Sequence, residues 1–453
     1  MDTKKHRLRI LMFPWLAHGH ISPYLELAKN LSKKNFYVYF CSTPINLSSI
    51  KNQLDEKVFS SIQLVELHLP SLPNLPPHNH TTKSLPSHLM STLKQAFDMA
   101  ESSFSNLLRV LKPDLLIYDY IQPWAPAAAS RENIPAIHFL LNSAASFSYF
   151  CDMCKNPSVI DQFPFSSIYL HEYEYNKIME MFNSDSNKER CFPCFDASYN
   201  IILIKTFTEI EAKYIGYLSL QVGKEFVPVG PLIQETTSDC NENESNFIAW
   251  LNEKDHRSVV FVSFGTEYFM SKEEIEEIAY GLELSKVNFI WVIRFPDEEE
   301  KNEQVDEVLP QGFLKRIGNR GMVVKNWAPQ PKILAHANVG GFVSHCGWSS
   351  VMEGIHYGIP IIAMPEHLDQ PVNARLVVEL GVGKEVMREK EKFMRKEVAK
   401  VVNEVVVGNE GEEVRMKARE LSEIMRKKGG GEEIDMVVEK LVQISQLSKK
   451  NVV

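Results

Sequence analysis

Residues 327–370 read WAPQPKILAHANVGGFVSHCGWSSVMEGIHYGIPIIAMPEHLDQ. Within them, residues 339–343 form a short apolar run that contains two glycines, which is typical of a buried parallel strand. Gly347 then permits a tight turn with close approach of the backbone, and Ser349 and Ser350 begin a helix, where serine is a common residue. The stretch therefore predicts a strand, a turn and a helix, which is the repeating unit of a parallel α/β sheet.

The turn between this strand and helix has the chemistry of an anion site. Backbone N–H groups at a helix start, the hydroxyls of Ser349 and Ser350, and the positive end of the helix dipole all favour a phosphate group. His345, at the end of the strand, can add another hydrogen-bond donor. Glu353, in the first turns of the helix, can accept hydrogen bonds from a ribose diol.

Two tryptophans offer flat faces to the same kind of ligand. The rings of Trp327 and Trp348 can stack on a base or a sugar. The alternative interpretation of the whole stretch is a buried strand and helix, with a serine cap and two core tryptophans.

Taken together, the stretch resembles, nearly position for position, the 44-residue signature of the plant family 1 UDP-dependent glycosyltransferases. The resemblance implies a residue for each part of a UDP-sugar. Uracil would stack on Trp327 and pair with the backbone of Ala328. The ribose would be held by Gln330 and Glu353, the diphosphate by His345, Ser349 and Ser350, and the donor sugar by Trp348, Asp369 and Gln370.

The sequence departs from the family pattern at two places. Ser349 stands where most members have Asn, and it still places a short donor beside the phosphates. Residues 366–368 (Glu-His-Leu) replace a more usual Met-Trp/Phe-Ala, which changes the wall beside the donor sugar. Gln370 stands where galactose users often have His, so the resemblance implies UDP-glucose as the co-substrate.

Composition sets the outer limits on function. The chain has 453 residues, 44% hydrophobic and 24% charged, which suits two globular domains. A formal charge of −9 argues against nucleic acid or an anionic membrane as a partner. The first apolar run, residues 10–13, is too short for a signal peptide, and no run approaches the roughly 20 residues of a membrane span. We therefore expect a soluble, cytoplasmic protein without stable membrane insertion. We also expect a monomer, although nothing in the composition bears on oligomeric state.

Seven cysteines include two Cys-x-x-Cys pairs. These are Cys151 with Cys154, and Cys191 with Cys194. A four-thiolate structural zinc site is one possibility. The gap between the pairs is longer than in zinc ribbons, and the glycine knuckles are missing, so the prediction favours reduced thiols without metal.

Apolar runs alternate with amphipathic stretches along both halves of the chain. This alternation predicts two doubly wound parallel sheets, each Rossmann-like, with the ligand in a cleft at the carboxyl ends of the strands. The resemblance names this the GT-B glycosyltransferase architecture. We expect an acceptor-binding domain over 1–233, a linker over 234–246, a UDP-sugar-binding domain over 247–430, and a helix over 431–453 that packs back on the first domain.

Three expectations about local structure depend on periodicity. The first helix should span 21–34, after a loop over 14–20. One long helix should span 89–111. Residues 151–198, which are rich in aromatic and polar residues and weak in periodicity, should form an irregular excursion over the acceptor pocket. A fourth expectation, which depends on charge, is that the acidic run at 297–300 is a solvated loop.

A histidine and an aspartate follow two strands of the first half. His20 comes after the strand at 8–13, and Asp119 after the strand at 115–118. Parallel strands end at the same edge of a sheet, so the two side chains can meet, and a carboxylate there would orient the imidazole and stabilise its cation. Both residues could instead be structural.

The family resemblance gives these residues roles. It implies that His20 is the general base and that Asp119 orients it, that Thr266 touches the phosphates, and that Ser143 reaches the donor sugar. Ser143 could equally be a helix cap. The resemblance implies an inverting transfer with no metal and no cofactor other than the UDP-glucose co-substrate, and the sequence lacks the Asp-x-Asp pair by which another glycosyltransferase fold holds a divalent ion.

Residues 119–124, 263–269, 348–350 and 367–370 resemble one branch of the family. Its members add a sugar to a sugar already present on a flavonoid or triterpenoid, including mogroside-type glycosides, often through a β-1,6 bond. This implies a small-molecule glycoside as acceptor. Polar residues suited to its sugars are His18, Tyr120, Gln122, Asn142 and Ser143. Two alternatives remain: transfer directly to aglycones, and a non-catalytic binder of UDP-sugars or glycosides.

Overall fold

The computed structural model of the chain describes residues 7–51, 54, 60–83, 85–155, 163–183, 187–234, 242–266, 268–295 and 305–450. The chain forms two compact units. The first comprises residues 1–151, 179–232 and 429–453, and the second comprises residues 152–178 and 233–428. No helix in these described ranges is both long and apolar enough to cross a bilayer.

The first unit contains a parallel sheet of seven strands in the order β3-β2-β1-β4-β5-β6-β7. Its strands are β1 (Arg9–Phe13), β2 (Tyr37–Ser42), β3 (Ile62–Glu66), β4 (Leu115–Tyr118), β5 (Ala136–Leu140), β6 (Ile201–Ile204) and β7 (Glu225–Pro228).

The α-helices of the first 234 residues connect these strands. They are α1 (His18–Lys33), α2 (Pro44–Ile50), α3 (Met90–Met99), α4 (Glu101–Leu111), α5 (Trp124–Arg131), α6 (Ala144–Lys155), α7 (Glu172–Asn183), α8 (Asn187–Ala197) and α9 (Thr208–Val222).

The second unit contains a parallel sheet of six strands in the order β10-β9-β8-β11-β12-β13. These strands are β8 (Val259–Ser263), β9 (Asn288–Ile293), β10 (Gly321–Lys325), β11 (Val339–Ser344), β12 (Ile361–Ala363) and β13 (Gly383–Glu385).

The remaining α-helices lie between and after these strands. They are α10 (Glu242–Asn252), α11 (Lys272–Ser285), α12 (Val305–Val308), α13 (Phe313–Ile317), α14 (Gln330–Leu334), α15 (Trp348–Tyr357), α16 (Gln370–Glu379), α17 (Arg395–Val406), α18 (Glu412–Lys428) and α19 (Gly431–Lys450). Helix α19 belongs to the first unit, where residues such as Val437 and Leu441 pack in its core.

Each sheet is covered by apolar side chains on both faces. Along β1, Ile10 and Met12 pack in one core cluster, whereas Leu11 and Phe13 pack in another. Successive residues of a strand point to opposite faces, so a strand buried on both sides must be apolar throughout. This is why the central strands were recognisable as short continuous apolar runs.

Both sheets reverse their strand order beside the first strand of the unit. In the first sheet the reversal lies between β1 and β4, and in the second between β8 and β11. Ligands of doubly wound proteins bind at such a switch point, outside the carboxyl ends of the strands. The residues that follow β1, β4, β8 and β11 therefore lie where a ligand is expected to bind.

The structure corrects three local predictions. Helix α1 begins at His18 rather than at residue 21, because the carbonyl of Ala17 already accepts the N–H groups of His20 and Ile21. The helix predicted over 89–111 is two helices, α3 and α4, since Ala100 has ψ near 0° and interrupts the helical path. The region predicted to be irregular, 151–198, contains the whole of α7 and α8 and the last residues of α6.

Residues 152–178 come from the first half of the sequence but group with the second unit. Their anchor is Glu174, whose carboxylate accepts two hydrogen bonds of 2.9 and 3.0 Å from Arg375 in α16. Glu385 lies 2.9 Å from the same guanidinium, and all three side chains are largely buried. A buried arginine shared by two carboxylates thus attaches this segment to the second unit.

Candidate active site

His20 and Asp119 meet at the switch point of the first sheet. The distance between the imidazole Nδ1 and the carboxylate Oδ2 is 2.7 Å. The aspartate side chain is fully buried, whereas the histidine side chain retains 18% exposure. At this distance Nδ1 carries the proton and donates it to the carboxylate, which places the lone pair of a neutral imidazole on Nε2.

The backbone around Asp119 fixes its carboxylate. Oδ2 also accepts the N–H of Trp15 at 3.0 Å, and Oδ1 accepts the N–H of Tyr120 at 2.8 Å. Burial alone would raise the pKa of Asp119, but the charge and hydrogen bond of His20 and these two N–H groups hold it below its ordinary value. The carboxylate therefore remains ionised and can stabilise an imidazolium.

The polar residues expected near the acceptor lie in different environments. His18 is exposed at the start of α1, and Tyr120 is half-buried with its ring 5.5 Å from that of His20. Asn142 is half-buried as well. Gln122 is fully buried, and its amide donates to the carbonyl of Phe13, so its role is to support the end of β1 rather than to line a surface.

Ser143 lies just before α6 and is fully buried. Its Oγ accepts the N–H of Ser146 at 3.0 Å, which is the geometry of an N-cap. The next two N–H groups, of Ala144 and Ala145, donate to Glu211 at 2.9 and 2.8 Å. The geometry of Ser143 therefore agrees with its interpretation as a helix cap. Sequence reasoning missed Glu211, which carried no signal other than its place near the start of α9.

In the second unit, His345 lies at the end of β11 between two glycines. A Cβ atom on Gly265 or on Gly347 would come within 2.6 Å of its Nε2, so only glycine fits at either position without moving the ring. The residue is half-buried, but its Nδ1 is not accessible to solvent. Burial, with the nearby His367, lowers the pKa of His345 to about 3, so the ring is neutral at physiological pH.

The N-cap of α15 is Gly347, and no side chain caps the helix. The prediction that a serine caps this helix is thus wrong, because Ser349 and Ser350 follow the cap within the first turn. The first-turn N–H groups of an α-helix lack partners within the helix, and here the N-cap residue Gly347 lies against the His345 ring. Cys346, between them, has a left-handed φ of +62°, which turns the chain sharply into the helix.

The two tryptophans of the stretch differ in exposure. Trp327, which follows β10, is 53% exposed, although large apolar side chains are usually buried. Trp348 is only 4% exposed and belongs to the interior. The exposed ring of Trp327 is therefore suited to stacking on a base, whereas nearly all of the Trp348 side chain belongs to the core.

Gln330 links the segment after β10 to α15. Its Nε2 donates to Glu353 Oε2 at 2.7 Å and approaches Ser350 Oγ at 3.4 Å. This contact joins the two residues expected to hold a ribose. Ala328 is buried, and its carbonyl accepts the N–H of Gln330 at 2.8 Å.

The last two residues of the predicted donor set lie where the loop after β12 meets the start of α16. Asp369 is the N-cap residue of α16, and its Oδ2 accepts from Asn373 at 3.1 Å. Asn373 also donates to the carbonyl of Cys346 at 3.0 Å, which ties this loop to the end of β11. Gln370 is 4% exposed, and its carboxamide bonds within the loop itself. Thr266 is exposed, in the segment that follows β8.

The cysteine prediction extends partly beyond the described residues. Cys151, Cys154 and Cys194 form no disulfide, and the side chain of Cys191 is not described. Cys194 Sγ contacts the carbonyls of Tyr120 and Arg190, both at 3.2 Å. Within the described part of the chain, no three His, Cys, Asp or Glu residues are grouped as metal ligands would be. The acidic run at 297–300 also lies outside the described residues.

Solved structures share this architecture. A UGT from Glycyrrhiza uralensis, crystallised with glycyrrhetinic acid 3-O-monoglucuronide, aligns with a TM-score of 0.84 and 24% identity, over 98% of this chain and 97% of its own. Two doubly wound parallel sheets are the architecture of the GT-B class of glycosyltransferases, and the similarity to this structure shows the same fold. The predicted fold class is therefore confirmed.

Two family models match the chain. "Glycosyltransferase, N-terminal domain" matches residues 6–234, and "UDP-glucoronosyl and UDP-glucosyl transferase" matches residues 204–429. The chain belongs to the family of UDP-dependent glycosyltransferases, and the predicted enzyme class is confirmed.

Curated relatives are similar along nearly the whole chain. A mogroside IIIx synthase of Siraitia grosvenorii is 52% identical over 96% of this chain and 98% of its own. A beta-D-glucosyl crocetin beta-1,6-glucosyltransferase of Gardenia jasminoides is 49% identical over the same shares. A flavanone 7-O-glucoside 2''-O-beta-L-rhamnosyltransferase of Citrus maxima is 48% identical over 99% of this chain and 100% of its own.

Proposed function

We propose that this enzyme transfers glucose from UDP-glucose to a hydroxyl of a sugar already attached to a small molecule, with inversion at the anomeric carbon. The observation that carries the chemical step is the contact between His20 and the buried carboxylate of Asp119. The family supplies the donor class, and the names of the relatives support a glycoside as acceptor.

The proton transfer belongs to His20. As the acceptor oxygen attacks the anomeric carbon, its proton moves to Nε2, and the resulting imidazolium is stabilised by Asp119. The bond from the anomeric carbon to the phosphate oxygen breaks on the opposite face, and UDP leaves. An α-linked donor therefore gives a β-glycoside.

Donor binding belongs to the second unit. We assign the uracil to Trp327 and the backbone of Ala328, and the ribose to Gln330 and Glu353. The leaving diphosphate would be stabilised by a preorganised set of donors after β8 and β11, which needs no reorganisation during the reaction. This set comprises Thr266, His345, Ser349, Ser350 and the first-turn N–H groups of α15. Trp348, Asp369 and Gln370 complete the assigned surroundings of the sugar.

Three further expectations are part of the proposal. Because helix N–H groups and a neutral histidine can stabilise the diphosphate, the reaction needs no divalent ion. The enzyme works in the cytosol, and it works as a monomer. Activity that is unchanged by a chelator, and a molar mass near that of one chain in light scattering, are the expected results.

The deciding experiment is turnover with UDP-glucose, followed by mass spectrometry, on a panel that pairs each aglycone with its mono- and diglucoside. We expect products only from the glucosides, each heavier by one hexose, with the linkage assigned by NMR. UDP-rhamnose and UDP-glucuronic acid are run as competing donors, since a rhamnosyltransferase is among the relatives.

The other outcomes separate the alternatives. Products from bare aglycones would contradict the glycoside acceptor but keep the family and mechanism. Preference for another UDP-sugar would contradict the donor assignment alone. UDP binding without transfer to any acceptor would support the non-catalytic alternative.

A further inference from the structure

Gln370 is less available to a sugar than its place in the sequence implies. Its Oε1 accepts the N–H groups of Glu366 and His367 at 3.0 and 3.1 Å. Its Nε2 lies 2.8 Å from Nδ1 of the His367 ring. The carboxamide therefore holds the loop after β12 in its shape, and at most one of its N–H bonds is left for a ligand.

These contacts also determine which nitrogen of His367 carries the proton. Oε1 of Gln370 must be the oxygen, because a flipped amide would point its NH2 group at two backbone donors. Nε2 of Gln370 must then donate, so Nδ1 of His367 accepts and carries no proton. In the neutral ring the proton is consequently on Nε2.

The Nε2–H group of His367 is a hydrogen-bond donor without a hydrogen-bond partner among the described residues. The ring is half-buried and packs edge-on against Tyr268, with 5.6 Å between ring centroids, so its orientation is fixed on that side. Arg388 restrains the loop further, because its guanidinium bonds the carbonyl of Pro365 and the carboxylate of Glu366.

The position of this donor relative to the phosphate site follows from the topology. Strands β11 and β12 are neighbours, and Asn373 ties the loop after β12 to Cys346 after β11. His345, which the proposal places beside the diphosphate, directly precedes Cys346 in the sequence. A sugar linked to a diphosphate beside His345 would therefore lie near the loop after β12.

We propose that Nε2–H of His367 donates a hydrogen bond to a hydroxyl of the transferred sugar, and that Gln370 acts mainly as the positioning residue that fixes the tautomer and orientation of His367. This proposal rests on the donor placement proposed above. It adds a specificity-determining residue at a position where the family signature usually has an aromatic residue.

Two variants separate sugar binding from support of the loop. His367→Asn keeps an oxygen near the place of Nδ1, so Gln370 retains its acceptor, but nothing reaches the place of Nε2. His367→Gln places an NH2 group near Nε2 but removes the acceptor for Gln370. His256→Asn, at an exposed histidine of the same unit, is the matched control.

We expect the Asn variant to lose about fivefold to tenfold in kcat/KM for UDP-glucose, the effect of one neutral hydrogen bond. The Kd for UDP and the melting temperature should not change. The Gln variant should stay within about twofold of the wild type. The proposal would be overturned if the Gln variant lost activity while the Asn variant kept wild-type activity, because this would show that His367 only supports the loop. Equal losses in both variants would overturn it as well.

Donor analogues that each lack one sugar hydroxyl provide a second measurement. For one analogue, we expect the wild type to show a kcat/KM about fivefold to tenfold lower than for UDP-glucose. The Asn variant should use that analogue and UDP-glucose with equal kcat/KM. If each missing hydroxyl lowers kcat/KM by the same factor in the wild type and in the Asn variant, the hydrogen bond assigned to His367 is wrong. A wild type that transfers no glucose would instead contradict the proposed function, before any variant is made.

Discussion

His20 Nδ1 and Asp119 Oδ2 lie 2.7 Å apart, although the two residues are 99 positions apart in the sequence. The contact exists because β1 and β4 are adjacent parallel strands, so the segments that follow them leave the sheet side by side. The two backbone N–H groups that also bond the carboxylate make its position independent of the histidine.

Replacement of His20 should remove the chemical step and leave nucleotide binding. We expect His20→Ala to lower kcat by about 10²- to 10⁴-fold for aliphatic hydroxyls, the usual contribution of a general base. Acidic phenols should lose much less, because they need less help with deprotonation. The Kd for UDP should stay unchanged. An equal loss for phenols and sugars would contradict the assignment of His20 as the base.

Removal of the indole of Trp327 should weaken nucleotide binding. Stacking of a base on an aromatic ring contributes about 1–3 kcal/mol, so we expect Trp327→Ala to raise the Kd for UDP by about fivefold to 150-fold. Trp327→Phe should recover part of the loss, because a smaller ring can still stack. Calorimetric titration with UDP measures both.

The control for this prediction is Trp250→Phe. Trp250 bonds Asn319, which precedes the amino end of β10, whereas Trp327 follows the carboxyl end of the same strand. UDP affinity should therefore be unaffected by this change. A wild-type affinity in Trp327→Ala would show that the uracil lies elsewhere.

A single methyl group at Gly347 should disturb the phosphate site. Its φ of −57° and ψ of 137° suit any residue, so the effect of Gly347→Ala comes only from the Cβ, 2.6 Å from His345 Nε2. We expect weaker binding of UDP with little change for uridine, since the diphosphate donors move and the base site does not. Gly216→Ala, where the new Cβ meets no atom within 4 Å, is the control. Equal weakening for uridine and UDP would contradict the prediction.

The buried triad of Glu174, Arg375 and Glu385 should make stability depend on pH. Burial raises the pKa of Glu385 to about 7, although Arg375 acts in the opposite direction. The folded protein then holds a proton there that the unfolded chain releases above its ordinary pKa of 4.5. This stabilising contribution is complete below about pH 4.5 and is lost as the pH rises through 7.

Glu385→Gln removes this titration. We expect the melting temperature of the wild type to fall between pH 5 and pH 8 by more than that of the variant, with an energy difference of at most about 3 kcal/mol. Glu389→Gln, an exposed neighbour, should follow the wild type. Parallel curves for the wild type and Glu385→Gln would show that Glu385 is ionised throughout. Glu366, whose pKa burial also raises to about 7, should account for part of the remaining slope.

Much of the fold could be predicted because buried parallel strands are distinctive in sequence. The run at 115–118 is apolar on both faces and matches β4 in its bounds. The break at Ala100 could not be predicted, because alanine is a strong helix former and the apolar periodicity continues across it. The start of α1 was placed too late for a related reason: backbone hydrogen bonds, rather than residue type, determine it.

The site could be predicted as a set of residues more readily than as a set of contacts. Residue types and spacing indicated a nucleotide, but they could not show that Trp327 is exposed and Trp348 buried, or that the amide of Gln370 turns inward. Leu368, in the same loop, has a left-handed φ of +60°, which the residue type does not predict because leucine rarely adopts it. The roles of the site residues remain predictions.

The attachment of Glu174 to Arg375 has a consequence for the recombination of such enzymes. A chimera spliced at the polar linker would take Glu174 from one parent and Arg375 and Glu385 from the other. If the parent of the first half lacks a glutamate at position 174, the buried Arg375 loses one of its two carboxylate partners. Removal of one partner of a buried ion pair is costly. Hybrid glycosyltransferases of this type should therefore be built with three crossover points, so that residues 152–178 travel with the second half of the chain.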